Sequence, residues 1–401
     1  MTAAIIDAKE VISTLEPMLV PEGTPQRDEL DEMAMELAQK SAKLSAGMNA
    51  DLSRGVTVLL RNMNCYYSNL IEGHDTHPDD IDRAMLKDFD SEPAKRDLQM
   101  EAKAHIAVQE RLENDLYTQG IFTQQLISAI HADFYAELPD SLSVIEKQDG
   151  TTIDIIGGEY RTGDVKIGFH IPISAGAINR FMIRYFEVYG CMNRLRAIRN
   201  AGSAHHRLAW IHPFWDGNGR TTRLHTQYAL DKVLGTHGLW SVSRGFARNV
   251  DKYKGHLQAC DSTRQVDTDG RGYLSTKALI SFNKFFLETA IDQLERYKMW
   301  MENYVDHNCS ITVSYSPDEV PAIIDWLMKN WESYVGVSFL YRNDPTKTAE
   351  DLGHPYLPQE VVDKDTFHDY ADYLMPVDLN GTDIEGLLDT GECATGACPV
   401  R

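Results

Sequence analysis

Residues 212–223 read His-Pro-Phe-Trp-Asp-Gly-Asn-Gly-Arg-Thr-Thr-Arg, and the chemistry that these types and spacings support is the handling of a polyphosphate. Gly217 and Gly219 bracket Asn218, a spacing that lets backbone N–H groups converge into an anion nest. The helix expected over 220–234 adds the partial positive charge of its N-terminus. Arg220 and Arg223 stand three apart, so on a helix they share a face and can both turn planar donor forks to phosphate oxygens. Asp216 suits Mg²⁺, which takes a carboxylate together with substrate phosphates and water. His212 is then placed to take a proton from an incoming hydroxyl. Each feature alone has a plainer reading: Gly-Asn-Gly as a turn, Asp216 as a helix cap, the arginines as a solvated face, a His before Pro as structural. Their joint occurrence within 12 residues selects the phosphate site.

Such a site needs a scaffold, and most of the chain supplies helices. Leu30, Met33, Met35, Leu37 and Leu44 recur at helical spacing over 25–53, and Val58, Leu59, Met63 and Leu70 continue the pattern over 56–71. Further amphipathic stretches cover 92–116, 123–137, 175–193 and 202–211. One segment departs from this. Alternation in Tyr160, Val165, Ile167 and Phe169, with glycines 157, 158, 163 and 168 as turns, predicts a short hairpin over 157–172. His205 and His206 precede His212, but no Glu or Cys completes a metal-ligand spacing, so they read as packing residues or supports behind the site. Asp267-Thr268-Asp269-Gly270 reads as a turn, because Gln265 and Thr276 occupy the first and last ligand positions of a calcium loop.

Composition sets the outer limits. With 401 residues, 43% hydrophobic and 25% charged, and a mean hydropathy of −0.36, the chain reads as globular rather than disordered or membrane-spanning. Residues 1–10 include Asp7, Lys9 and Glu10 and lack the pattern of a secretory signal, from which a cytoplasmic location is expected. The net charge of −21 argues against nucleic acid or an anionic membrane as partner. Six cysteines are too scattered for a disulfide framework; Cys393 and Cys398 alone look paired. From Asp306 onward there are 18 acidic and 5 basic residues, net −13, and the texture changes to a β-branched run at 309–315, an amphipathic helix at 317–331 and a strand-like run at 334–341. A domain boundary is expected there, followed by a loop-like stretch and a flexible C-terminal tail. There is no internal repeat and no low-complexity tract.

The string at 212–223 matches every fixed position of the signature H-x-F-x-D/E-G-N-G-R-x-x-R, and the chain up to this point and somewhat beyond resembles the Fic-domain family, whose members transfer AMP from ATP to protein hydroxyls. The resemblance implies His212 as the base, Asp216 as the Mg²⁺ ligand, Gly217, Asn218 and Gly219 as the phosphate loop, Arg220 and Arg223 as its stabilising cations, and Phe214 as the buried anchor of the loop. Doc-type kinases of the same fold carry Ala-Asn-Lys where this chain has Gly-Asn-Gly, which favours nucleotidyl transfer over phosphorylation. The expected hairpin falls where the family has its flap, implying that Arg161, Val165, Ile167 and Phe169 align a target segment by strand addition. Tyr253 falls near where relatives place an aromatic on adenine, and a core tyrosine fits its surroundings equally well. Ser68-Asn69-Leu70-Ile71-Glu72-Gly73 resembles the family's inhibitory helix signature, S/T-x-x-x-E-G/N. By that resemblance Glu72, with Ser68, would engage Arg223 and take the donors that the γ-phosphate needs.

The end of the chain is similar to a different family. Glu295-Arg296-Tyr297, the run 307–313, the run 344–349 and the closing Cys-Ala-Thr-Gly-Ala-Cys-Pro-Val-Arg resemble the C-terminus of adenosylcobalamin-dependent ribonucleotide reductases. There the tail cysteine pair carries electrons to the active-site disulfide, a role that would fall to Cys393 and Cys398. The barrel, radical cysteine and cobalamin site of a reductase have no room here. Roughly 290 residues carry the first resemblance and about 105 the second, a size suited to separate domains.

The sequence thus predicts a mostly α chain: a helical region over 1–120 with the inhibitory helix, a Fic helical core with a β-hairpin flap over 121–292, and a small α/β segment with a flexible tail over 293–401, the junction lying near 291–301. The expected function is a self-inhibited, Mg²⁺-dependent protein adenylyltransferase acting with ATP on a Ser, Thr or Tyr hydroxyl of a protein target, this chain itself among the candidates. The alternative from another class is an inert Fic scaffold whose tail dithiol serves as a redox relay toward a thioredoxin-like partner. Neither reading calls for nucleic acid or a membrane.

Overall fold

Apolar residues at helical spacing fold most of this chain into α-helices. The computed structural model describes residues 5–46, 50–146, 150–264, 273–304, 311–315, 319–329 and 337–341, with Lys364 and His368. The first helices are α1 Gln26–Ala46, α2 Ala50–Glu72, α3 Pro78–Met85, α4 Pro93–Glu113 and α5 Gln124–Ala136. Proline opens α3 and α4, where a missing N–H costs nothing. The Thr123 hydroxyl caps α5 by accepting the Leu126 N–H at 3.3 Å. A two-stranded antiparallel hairpin follows, β1 Val144–Glu146 and β2 Thr152–Asp154, in the register Ile145 opposite Ile153. Then come α6 Ile178–Tyr189, α7 Arg194–Arg199, α8 Ala201–Ile211, α9 Asn218–Leu234, α10 Val242–Arg248, α11 Val250–Asp261 and α12 Thr276–Tyr304.

Helices α8 and α9 run through the middle of the bundle. One core cluster joins α1, α2, α10 and α12 to the C-terminal half of α9 through Leu37, Leu60, Leu230, Trp240, Phe246 and Phe286. A second gathers α6 and α8 around Phe181, Tyr185, Leu208 and Phe214. A third holds α4 and α5 against Leu224 and Tyr228 of α9. The polar residues of α8 are buried with their hydrogen bonds satisfied. His205 meets Thr226 Oγ1 at 2.8 Å and Tyr253 Oη at 2.7 Å, and His206 meets Asp261 at 3.0 Å. Both are packing residues of the bundle centre.

The hairpin lies earlier than the alternation predicts, at 144–154 rather than 157–172. In the latter segment Ile167 and His170 form one isolated bridge. The reason is that its backbone partners lie elsewhere. Gly158 N–H donates to His131 Nδ1 at 2.8 Å and Arg161 N–H to Pro213 O at 2.9 Å. Those two N–H groups go to a helix and to the loop after α8, and within the segment Ile167 and His170 exchange the one reciprocal pair of bonds.

The chain divides into two compact units, Met1–Cys309 and Ser310–Arg401. Helix α12 runs unbroken through 291–301, where the meeting of the two resemblances suggests a junction, and the division falls after the helix ends, near the change of charge at Asp306. In the second unit β3 Ile311–Tyr315 pairs in parallel with β4 Val337–Tyr341, and α13 Val320–Lys329 lies between them in sequence, as a parallel pair requires. Cys393, Cys398, the run 344–349 and the turn at 267–270 lie outside the described residues. Among the described residues no helix is long and apolar enough to cross a membrane.

Candidate active site

His212 ends α8 in a left-handed conformation, φ 51° and ψ 63°, its N–H donating to Leu208 O at 3.2 Å. A residue with a Cβ is rare there. The turn ejects the imidazole from the helix into a cleft of about 850 Å³ whose walls include Glu72, His212 and 215–220. Burial and the nearby Arg161 charge lower the His212 pKa to about 4, so the ring is neutral near pH 7 and free to accept a proton. Arg161 Nε donates to the His212 carbonyl at 2.8 Å.

Asn218 closes the loop that follows. Its Oδ1 accepts the Phe214 N–H and its Nδ2 donates to Phe214 O, both at 2.9 Å. The Asn218 side chain is therefore spent on the loop, and only its backbone faces a ligand. Phe214 is buried, stacked on His131 with ring centroids 3.9 Å apart. Gly217 stands at the N-cap of α9 with φ 72°, a conformation glycine adopts at no steric cost, and offers no side-chain cap. The first-turn N–H groups of α9, which have no intrahelical partners, thus open onto the cleft, as an anion site requires.

Asp216 projects into the cleft. Its Oδ2 accepts from Tyr135 Oη at 2.8 Å and from Arg220 Nη2 at 3.1 Å. Burial pushes its carboxyl up, but the Arg220 charge and the Gly217 N–H outweigh this, and the group lies below the usual carboxylate range. His131 accepts the Gly158 N–H on Nδ1, so its proton sits on Nε2 and is donated to Asp216 O at 3.0 Å. Arg220 also pairs with Glu101 at 2.9 Å and lies over the Phe134 ring.

Arg223 is buried in α9 and faces the C-terminal turn of α2. Its Nη2 donates to Glu72 Oε1 at 2.5 Å and to Ser68 O at 3.2 Å, and its Nε donates to Ser68 Oγ at 2.9 Å. Burial pushes the Glu72 carboxyl up, and Arg223 more than offsets this, so Glu72 stays ionised. Gly219 leaves room for the approach: a Cβ on it would collide with Glu72 Oε1.

The structure brings His212, Asp216, the start of α9, Arg220, Arg223, Ser68 and Glu72 together, and sends other candidates elsewhere. Val165 and Ile167 line the cleft, while Phe169 is 91% exposed beside it. Arg161 does not face a target: it is fully buried, donating to the carbonyls of His212, Gly163 and Ile173. Tyr253 is a core residue, bonded to His205 and stacked on Phe246 with centroids 4.5 Å apart, which removes it from an adenine site. Sequence reasoning missed His131 and Tyr135, whose i, i+4 spacing on α5 was a readable sign of a shared face. It also missed Glu101 and the β1–β2 strands, for which the sequence held no local signal.

Residues 121–230 match the model of the Fic/DOC family. A protein adenylyltransferase Fic of Drosophila mojavensis is 33% identical over 113 residues, 28% of this chain and 22% of that protein. Its counterpart in Culex quinquefasciatus is 37% identical over 100 residues, 24% of this chain and 19% of that one. The chain thus spans about a fifth of the length of these curated relatives. Among solved structures, a Fic family protein from Desulfovibrio desulfuricans superposes over 77% of this chain and 81% of its own, with a TM-score of 0.53 and 17% identity. Fic-1 from C. elegans (residues 134–508) does so over 70% and 75%, at 0.50 and 15%. These two place the chain in the mostly helical Fic fold.

Proposed function

We propose that this protein is a self-inhibited protein adenylyltransferase, moving AMP from ATP to the hydroxyl of a Ser, Thr or Tyr side chain. The observation that carries the reading is the convergence on one cleft of a neutral His212, an ionised Asp216, the uncapped first turn of α9 and the guanidinium of Arg220. His212 takes the proton of the target hydroxyl, the oxygen attacks the α-phosphorus, and the bond to the leaving pyrophosphate breaks. The first-turn amides of α9 stabilise the charge that grows on the phosphoryl oxygens.

Among the described residues no group of three His, Cys, Asp or Glu could hold a metal. A cation here would rest on Asp216 and on the oxygens of the nucleotide, a donor set that suits Mg²⁺, and Tyr135 and Arg220 already orient that carboxylate. When bound, Mg²⁺ would neutralise phosphate charge. Val165 and Ile167 line the cleft edge where a target segment would dock; Ile167 has its own N–H and C=O paired with His170, so the backbone available for strand addition is that of Val165. Self-inhibition follows from Glu72, which takes up Arg223 and leaves the γ-phosphate without that partner.

Incubation of the full chain with ATP labelled at the α-phosphate tests the reading. Label should enter protein in the Glu72→Gly variant, and His212→Ala in the same background should lower transfer by about a hundredfold or more, the scale of general-base catalysis. No label in Glu72→Gly would sink the proposal.

A further inference from the structure

Glu101, on α4 and upstream of the matched segment, plays no part in that mechanism, yet it bridges two parts of the site. Its Oε1 pairs with Arg220 Nη1 at 2.9 Å, and its Oε2 meets His74 Nδ1 at 2.6 Å. Arg220 turns its other branch to Asp216 Oδ2 at 3.1 Å and rests its guanidinium on the Phe134 ring, 4.8 Å from the centroid. His74 is held just as firmly. The Gly73 N–H donates to Leu70 O at 3.1 Å and the His74 N–H to Asn69 O at 3.0 Å, the two bonds of a Schellman turn that ends α2 just after Glu72.

We propose that Glu101 is the positioning residue of Arg220, and that His74 couples it to the end of the helix that carries Glu72; this rests on the phosphate-binding reading of Arg220. A guanidinium between two carboxylates can settle on either. Glu101 holds one branch of Arg220, so that the other branch takes a single oxygen of Asp216. Without Glu101 the fork is free to close on both Asp216 oxygens, removing the carboxylate from a cation and the arginine from the phosphates. Glu101 thereby keeps the two functional groups apart.

His74 sets how much of the Glu101 charge falls on Arg220. The charged groups facing His74 are Glu101 from α4, Arg220 from α9 and Glu72 from α2. The Glu101 hydrogen bond raises the His74 pKa above its ordinary value, against burial and the Arg220 charge. Below that raised pKa Glu101 is shared between two cations. Above it the carboxylate acts on Arg220 alone, which then binds phosphate less tightly, so the KM for ATP rises with pH across the His74 titration.

The test uses the full chain carrying Glu72→Gly, with Glu101→Ala, Glu101→Gln or His74→Gln added, and reads AMP transfer against pH together with ATP affinity by calorimetry. Glu101→Ala should lower kcat/KM by about tenfold to a hundredfold, the scale of a lost bond between charged groups. Glu101→Gln keeps an acceptor toward Arg220 and should recover most of kcat, while both Gln variants flatten the pH dependence of KM. Should Glu101→Ala not fold, the two Gln variants still decide, because a pH dependence that survives in both overturns the proposal. So does an unchanged kcat and KM in Glu101→Ala. If no variant transfers AMP, the adenylyltransferase reading falls and the calorimetry decides this one: weaker ATP binding by Glu101→Ala than by its parent sustains it, and equal binding overturns it.

Discussion

In the proposed mechanism the Arg223 guanidinium has two competing partners, the γ-phosphate and Glu72, and in the structure Glu72 holds it at 2.5 Å. A carboxylate that meets an arginine in a half-buried setting competes well with an incoming phosphate oxygen. Glu72→Gly should therefore raise self-modification over the wild type at equal ATP. Glu72→Gln, which loses the charge but keeps the bulk beside Gly219, should raise it less. The sign of the pH effect follows from the depressed pKa of Glu72. A group lowered in the fold keeps its pair at every pH above that value and loses it only as pH falls through it. At saturating ATP, where a change in KM no longer counts, the ratio of Glu72→Gly to wild-type rates should accordingly be the same at about pH 6 and about pH 8. A ratio that collapses between them would show that the block depends on some other group.

At the scale of elements, the loop that carries His212 and Asp216 is held by side chains turned onto its own backbone rather than into the cleft. Asn218 staples 214–218 from inside, and Arg161 ties 157–173 to the end of α8 through the carbonyls of Gly163, Ile173 and His212. The cost of burying that guanidinium shows in its pKa, which desolvation lowers to about 10. Arg161→Ala would strand these acceptors in a space that water does not reach. A loss of about 3 kcal/mol in urea unfolding is expected from buried groups left unpaired, along with slower transfer in the Glu72→Gly background because the His212 backbone is no longer braced. Unaltered stability would mean that water replaces the side chain.

For the whole molecule, the buried centre carries an acid-sensitive load. Burial lowers His105 and His205 to about 3, and His131, His206, His212 and His225 to about 4. An unfolded chain binds protons on these rings near pH 6.5, whereas the folded one refuses them until much lower pH. Stability contributed by keeping them neutral is therefore complete above the unfolded value and drains as pH falls toward 4. The urea midpoint should drop steadily from about pH 7 to about pH 5, and a flat midpoint over that range would contradict this account. The load belongs to Met1–Cys309, because all these rings lie on α4, α5, α8 and α9 or the loop between the last two.

Residues 212–223 were legible in the sequence because their chemistry is local: a turn, a helix start and two arginines one turn apart need no knowledge of the rest of the chain. Helices α1, α2, α4, α5, α6, α8 and α13 were legible because their apolar spacing is periodic, whereas α3, α10 and α11 went unread. The pairing of Glu72 with Arg223 was readable only through a resemblance, since nothing in a Glu-Gly pair says what it faces 151 residues away. What the tertiary structure alone decided was long-range: that Tyr135 and Glu101 clamp Asp216 and Arg220, that Arg161 turns inward and that Tyr253 joins the core. It also placed the hairpin at 144–154, where strands of three residues are too short for alternation to be read, while the Gly158 and Arg161 N–H groups of the predicted segment go to α5 and to Pro213. Such outcomes depend on which buried polar groups find partners, and that is settled only when distant segments meet.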